Sequence, residues 1–380
     1  MNTVAIIGAG PAGLATALKM KEEGFDATIF EEHESIGEPT HCSGLISRKG
    51  VEDLGLNLSD SLVNEIHGAK IFSPGGHCLE VKKHETVAYV VDRKKFDQVL
   101  LRRARLLGIH VATDTKLIDV RKNTLFVQSQ GRGELRKAEF VIGADGVNST
   151  VRHLLGIDIA KENFVHSIQA TCTGEFEEHM VQVYLGDYSK GFFAWVVPLS
   201  KDRAKIGLGS ALGEDVSESL KKFISEKFPH ARVLKYDSAL IPYGPPLEGI
   251  GKDNMALVGD AAFQTKATTG GGVIFGMKAG NILGQTIADM LKKKATIKDY
   301  EKRLEKLNNE LKMHWKIRRY ANSLSNKELD ELFVKLKQKG IEEFLAKEGN
   351  MDEPSKFIGK LLANPQYLLM AGTALKFLRS

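Results

Sequence analysis

Cysteine is scarce in this sequence. The 380-residue chain carries three, Cys42, Cys78 and Cys172, an odd number at wide spacing that excludes a disulfide framework and offers no tetrahedral zinc site. No metal is expected. Long apolar runs are also lacking: no uninterrupted stretch approaches the roughly 20 residues that a bilayer-crossing helix needs. The short run Val4-Ala-Ile-Ile7 ends in glycine and has no basic flank, so it reads as a strand and not as an export signal. The expected location is cytoplasmic. There is no fixed-period repeat and no low-complexity tract. A net charge of +5 is mild for this length and fits solubility, an anionic cofactor or acidic lipid heads; a nucleic-acid partner is not expected.

What is present begins with glycine. Thr3–Ile7, Gly8-Ala-Gly-Pro-Ala-Gly13, Leu14–Glu23 and Ala27–Glu31 read as strand, glycine turn, helix and strand, a complete βαβ unit. Gly8, Gly10 and Gly13 form G-x-G-x-x-G, in which glycines permit a tight turn and let a helix N-terminus approach a pyrophosphate. Glu31, 18 residues after Gly13, ends the second strand where a carboxylate accepts a ribose hydroxyl; Glu32 falls past it. The pattern suits NAD and FAD alike. No second G-x-G-x-x-G follows a strand, so no resident domain for a nicotinamide cofactor is expected, and reducing equivalents must come from outside.

At 380 residues the chain exceeds the roughly 250–300 at which single cores stop growing. A helix is expected at Lys94–Leu107, with strands at His110–Ala112 and Ala138–Ile142. Between Val165 and Gly209, Met180–Leu185, Phe192–Val197 and Lys205–Leu208 are short, rich in β-branched and aromatic residues and separated by turn residues, which predicts an antiparallel sheet. A strand at Met255 returns to the first style, and from Gly276 the spacing is helical to the end. The expected class is α/β, α+β overall. It comprises a discontinuous Rossmann-like domain (1–70, 88–160, 250–290), an antiparallel-sheet substrate domain (71–87, 161–249) and a helical C-terminal region (291–380).

Two later segments decide between the cofactors. Gly143-Ala-Asp-Gly-Val-Asn-Ser-Thr-Val-Arg152 and Gly259-Asp-Ala-Ala262 resemble the two downstream motifs of the aromatic-hydroxylase-like flavoproteins. Within that superfamily the chain resembles the archaeal geranylgeranyl reductases over roughly its first 290 residues. The likeness lies in Ile36-Gly-Glu-Pro-Thr-His-Cys-Ser-Gly44, Asp92-Arg93-Lys-Lys-Phe96-Asp97, Phe193-Ala-Trp195-Val-Val-Pro198 followed by Gly207-Leu-Gly209, and Thr269-Gly-Gly-Gly-Val273. Val197 stands where the family has Phe.

The resemblance implies FAD as cofactor, with contacts at Ala12, Glu31, Cys42, Gly44, Arg93, Asp260, Gly272 and Val273 beside the glycine turn. It implies hydride transfer from reduced flavin to C=C bonds of isoprenoid lipid chains, with an external donor, NAD(P)H or a ferredoxin. Cys42 is the candidate for redox tuning or proton delivery, the alternative being a small buried hydrophobe. His41 is a second candidate donor, or a surface residue. Phe193 and Trp195 line a prenyl channel, or else face an ordinary core. Asp145 is a helix cap as readily as a flavin ligand. The loop Phe263-Gln-Thr-Lys-Ala-Thr268 lacks the proline of relatives, and Lys266 is expected to bring a cation close to the flavin.

Residues 292–319 hold eleven Lys and Arg against four Asp and Glu, a balance of +7, interleaved with apolar residues including Trp315. Such a surface suits peripheral contact with anionic lipid, or a solvated helix packed on the core. Leu361–Leu378 is a second apolar-leaning stretch, expected to close a channel or dip into the interface. The rival reading is an FAD-dependent monooxygenase on the same fold; a third is an electron-transfer flavoprotein without turnover.

Overall fold

The structure, a computed structural model, describes residues 3–363. Five parallel strands run in the order Met255–Leu257, Phe140–Gly143, Val4–Ile7, Thr28–Phe30 and His110–Ala112, with Gly251–Lys252 added antiparallel at one edge. The two central strands, Val4–Ile7 and Phe140–Gly143, are apolar and buried throughout, as a parallel sheet covered on both faces requires. The chain order reverses at Val4–Ile7, the switch point where open sheets of this kind bind ligands beyond their strand ends.

The helix after the glycine turn spans Pro11–Glu22, starting three residues before the expected Leu14. Proline at the first helical position loses no needed N–H and has its φ already set, so the fingerprint runs into the first turn and Gly13 is helical. This helix packs on Val273–Leu291, which begins at the end of the triple glycine and not at Gly276. Gly276, Gly280 and Gly284 face it: a Cβ on Gly280 would lie 2.6 Å from Ala12 O, and one on Gly284 2.6 Å from Thr16 O. Two backbones can come this close only where the side chain is hydrogen.

A seven-stranded sheet is ordered Arg232–Pro242, Phe164–Thr173, Arg203–Ala211, Ala194–Ser200, Met180–Tyr184, Gly68–Phe72 and Cys78–Lys82. All pairings are antiparallel except Met180–Tyr184 with Gly68–Phe72. Alternation sorts its side chains. Ala170, Cys172, Ala194, Val196, Ile206 and Leu208 pack on the helix Val216–Lys227 through Leu220, Phe223 and Ile224, and burial there pushes the Cys172 thiol up to about 11. Ser167, Gln169, Trp195 and Val197 turn the other way. The expected strand Phe192–Val197 begins instead at Ala194, because Gly191 at φ +79° and the Phe192 N–H bonded to Ser189 O form a turn first. Two three-stranded antiparallel sheets, Thr115–Lys137 and the set Leu45–Ser47, Ala88–Val91, Leu62–Ile66, complete the β-structure.

The later helices pack against protein. Phe333 of Asn326–Gln338 and Ile341 of Ile341–Glu348 share a core with Leu79 at the far sheet edge. In Glu305–Asn322 the Trp315 ring meets Tyr243 at 5.2 Å. Arg318 is buried and donates to Ala267 O, Thr268 O and Phe192 O at 3.0, 2.7 and 3.2 Å. Lys292, Arg303 and Lys312 pair with Glu23, Asp289 and Glu248. Of the eleven basic residues in 292–319, Arg318 is thus buried and these three are paired at the surface with carboxylates of the same chain. Most of Leu361–Leu378 lies outside the described residues, and among those described no helix is long and apolar enough to cross a membrane.

Candidate active site

A cavity of about 800 Å³ opens between the ends of the parallel strands and the inward face of the seven-stranded sheet. At one end the glycine turn is fixed by contact. Gly8 has φ +103°, and a Cβ there would meet Ala144 O at 2.3 Å; one on Gly13 would meet Gly8 O at 2.1 Å. Gly10 has nothing within 4 Å of such a Cβ, so its side of the turn is open space beside a helix N-terminus, as a pyrophosphate requires. Glu31 Oε2 accepts from Ala9 N–H at 2.8 Å, and Oε1 accepts from His33 N–H at 3.0 Å. The His33 ring Nδ1 also stands 2.6 Å from Oε1, so the carboxylate is held just past the strand end with a lone pair of Oε2 to spare for a hydroxyl. Glu32 instead pairs with Lys116 at 3.0 Å.

Asp260, in the turn Gly259–Ala262, also lines the cavity. Burial raises its carboxyl above the usual range, against a bond from Thr265 Oγ1 at 3.0 Å. The small side chain of Ala12 allows this turn to approach, since a Cβ on Gly259 would stand 2.9 Å from Ala12 Cβ. A Cβ on Gly272 would stand 2.7 Å from Asp260 Oδ1, so the last glycine of the run is required by the aspartate. Gly270, Gly272 and Val273 line the cavity. Asp145 also lines it, but its oxygens take Ser149 Oγ at 2.6 Å and Val151 N–H at 3.1 Å, which caps the short helix Thr150–Leu154.

The Cys42 loop crosses from the nucleotide end to the sheet. Gly44, at φ +86°, fits because a Cβ would meet Val91 O at 2.2 Å, and its N–H donates to Cys42 Sγ at 3.4 Å. Beside the thiol, Arg93 donates through Nη2 to both oxygens of Asp97 at 3.0 and 3.1 Å. Burial opposes the charge on Arg93, but Asp97 and then Cys42 hold its pKa above the ordinary value. The sheet grips the loop by two consecutive carbonyls. Gln169 Nε2 donates to His41 O at 3.3 Å and Lys205 Nζ to Cys42 O at 2.7 Å. The His41 side chain is exposed. Phe193 and Trp195 both line the cavity, their rings 5.8 Å apart and edge-on.

Lys266 lies behind the glycine run. Its ammonium does not line the cavity; it is buried against Asp352 Oδ1 at 2.6 Å, because a desolvated cation needs a partner. Burial opposes the charge on Asp352, yet Lys266 and Ser47 hold its pKa below the usual range. Asp352 was not legible in the sequence. Nor were Gln169 and Lys205, although Ser167, Gln169 and Thr171 form a polar row at period two whose burial signals a task.

Three buried polar atoms among these residues have no protein partner: Arg93 Nε, Gln169 Oε1 and Trp195 Nε1. All three residues line the cavity, and buried polar groups left open mark a place for a ligand. With the open side of Gly10 and the Asp260 carboxyl, the arrangement fits a flavin dinucleotide. Residues 1–311 match the family model described as an FAD-binding domain. The chain belongs to that family. FAD is its cofactor.

Three relatives of this FAD-binding chain refine the picture. An uncharacterized protein of Methanocaldococcus jannaschii is 31% identical, covering 94% of each chain. A digeranylgeranylglycerophospholipid reductase of Methanothrix thermoacetophila is 28% identical over 89% of this chain and 92% of its own. A geranylgeranyl bacteriochlorophyll reductase-like protein of Thermoplasma acidophilum superposes with TM-score 0.84 at 20% identity, covering 98% of this chain and 100% of that one; at that identity it shows the fold alone.

Proposed function

We propose that this FAD-dependent oxidoreductase saturates carbon–carbon double bonds of geranylgeranyl chains in membrane lipids or their precursors. The carrying observation is the wall facing the glycine run, where Val181, Val183, Phe193, Trp195, Val197 and Ile241 present an apolar surface suited to a prenyl chain. The relatives named as lipid reductases agree with it. Bound and reduced, FAD supplies a hydride for one alkene carbon while a proton goes to the other. The protein's part is to hold the chain in a dry, fixed position. Glu31, Arg93, Asp260 and the backbone at Gly8–Gly13 and Gly270–Val273 grip the cofactor. Cys42 stands at the junction of cofactor and substrate walls, as the proton-delivering or tuning residue; His41, exposed beside it, is the lesser candidate.

Reducing equivalents come from an external donor, NAD(P)H or a ferredoxin, and the protein meets its lipid as a peripheral guest of the membrane surface. A division with a substrate part at 71–87 and 161–249 would put the substrate wall opposite the nucleotide half, although the strand Gly68–Phe72 crosses its first boundary. The deciding experiment is anaerobic photoreduction followed by mixing with geranylgeranyl lipid or with oxygen. Reoxidation by lipid with a product heavier by two hydrogens per bond supports the reductase. Reoxidation by oxygen alone, with a hydroxylated product, shows a monooxygenase. Liposome co-sedimentation tests the membrane contact: no pelleting onto anionic vesicles at low salt removes it.

A further inference from the structure

The ion pair between Lys266 and Asp352 has no part in the roles above. Its side chains are 5% and 2% exposed, and its backbone belongs to the flavin-facing loop. Lys266 N–H donates to Gly271 O at 3.2 Å, and Gly270 N–H to Lys266 O at 2.8 Å. A Cβ on Gly271 would stand 3.2 Å from Lys266 Cε and 3.7 Å from Nζ. The ammonium therefore sits directly behind a glycine run whose front, at Gly270 and Gly272, lines the cavity. Thr269 Oγ1, which accepts from Gly271 N–H at 3.3 Å, is the side chain beside it there. Asp352 arrives from the segment between Ile341–Glu348 and Pro354–Ala363, and its second oxygen accepts from Ser47 Oγ, the cap of the helix that follows the Cys42 loop.

A buried cation behind the flavin loop has an electrostatic consequence. Reduction adds negative charge to a flavin, and an unbalanced positive charge behind the loop that would hold it would stabilise the reduced form and weaken it as a reductant. An alkene without activating groups needs the opposite. We propose that Asp352 is a charge-balancing and positioning residue, which cancels the field of Lys266 at the flavin loop and so keeps the bound FAD strongly reducing. The inference rests on FAD binding and holds whatever the substrate proves to be.

The test is a redox titration of the FAD-loaded protein without substrate, comparing the native chain with Asp352→Asn, Lys266→Met and the double variant. Asp352→Asn leaves the ammonium unbalanced and should raise the flavin midpoint potential. The expected change is at least tenfold in the reduced-to-oxidised ratio at fixed potential, about 30 mV for a two-electron couple. Lys266→Met leaves the carboxylate unbalanced and should lower the potential. The double variant should return to the native value. FAD content and melting temperature verify the fold, and a variant purified without FAD is reloaded before titration. An unmoved Asp352→Asn potential overturns the proposal. So do shifts of one sign in both single variants, a double variant displaced as far as either, or failure of all three to take up FAD.

Discussion

Trp195 and Gly207 are cross-strand partners in the seven-stranded sheet, and the indole fills the space a side chain at 207 would claim: a Cβ there would lie 2.5 Å from the Trp195 ring and 2.7 Å from Gln169 Cβ. Gly207 pairs with Gln169 on its other side, so the three form one row across three strands, of which Trp195 and Gln169 line the cavity. The spacing of Trp195 and Gly207-Leu-Gly209 in the sequence is this contact.

Gly207→Ala should therefore push the indole into the cavity. Overpacking of this kind costs about 1–3 kcal/mol, and the expected kinetic signature is a raised KM for a prenyl substrate with FAD content unchanged. Steady-state kinetics beside a flavin spectrum checks it; an unaltered KM would show that the indole does not meet substrate.

Cys42→Ala should keep FAD and lose turnover. Retention follows because the loop is gripped at the His41 and Cys42 carbonyls by Gln169 and Lys205, contacts that need no thiol. Single-turnover reoxidation of the reduced protein by lipid reads the step directly, and a rate equal to that of the native chain removes Cys42 from the chemistry.

Gly280→Ala sets two effects against each other. Alanine gains about 1 kcal/mol of helix propensity over glycine, but its methyl would sit 2.6 Å from Ala12 O and 2.9 Å from Thr16 Oγ1. A backbone carbonyl cannot swing aside, so the clash wins. The expected result is a lower melting temperature and weaker FAD binding, because Ala12 moves with the glycine turn; a higher melting temperature would refute the close approach of the two helices.

Acid should destabilise the protein through His314. Burial, then the nearby Lys266, lowers its pKa from 6.5 to about 3. The folded state keeps this imidazole neutral while the unfolded chain protonates it. Its contribution is thus complete above about pH 6.5 and declines as pH falls toward 3. The loss is of the order of a few kcal/mol at most. Thermal melts from pH 7.5 to 4.5 should show a shallower slope for His314→Gln than for the native chain, and equal slopes would place the acid sensitivity elsewhere.

The cofactor half was legible because its chemistry is local. Gly8, Gly10, Gly13 and Glu31 stand within one βαβ unit, where strand, turn and helix periods fix their relative places. The helix starts at Pro11, ahead of the expected Leu14, for a local reason too, since the glycine pattern masks the proline signal. Phe193 and Trp195 were readable as a pair, but their common exposure to the cavity depended on a turn at Gly191.

What the sequence determined by itself was the dinucleotide turn and an antiparallel sheet opposite it, each of which follows from residue spacing within a few turns or strands; the flavin in place of a nicotinamide came from the resemblance of Gly143–Arg152 and Gly259–Ala262 to flavoprotein motifs. Only the tertiary structure decided that Gln169 and Lys205 hold the Cys42 loop, that Arg318 and Trp315 face inward, and that Lys266 is neutralised by Asp352. Those partners lie tens to more than a hundred residues apart in the chain, and burial, which forces a charge or a hydrogen-bonding group to find its counterpart, is a property of the folded molecule and not of any segment of it.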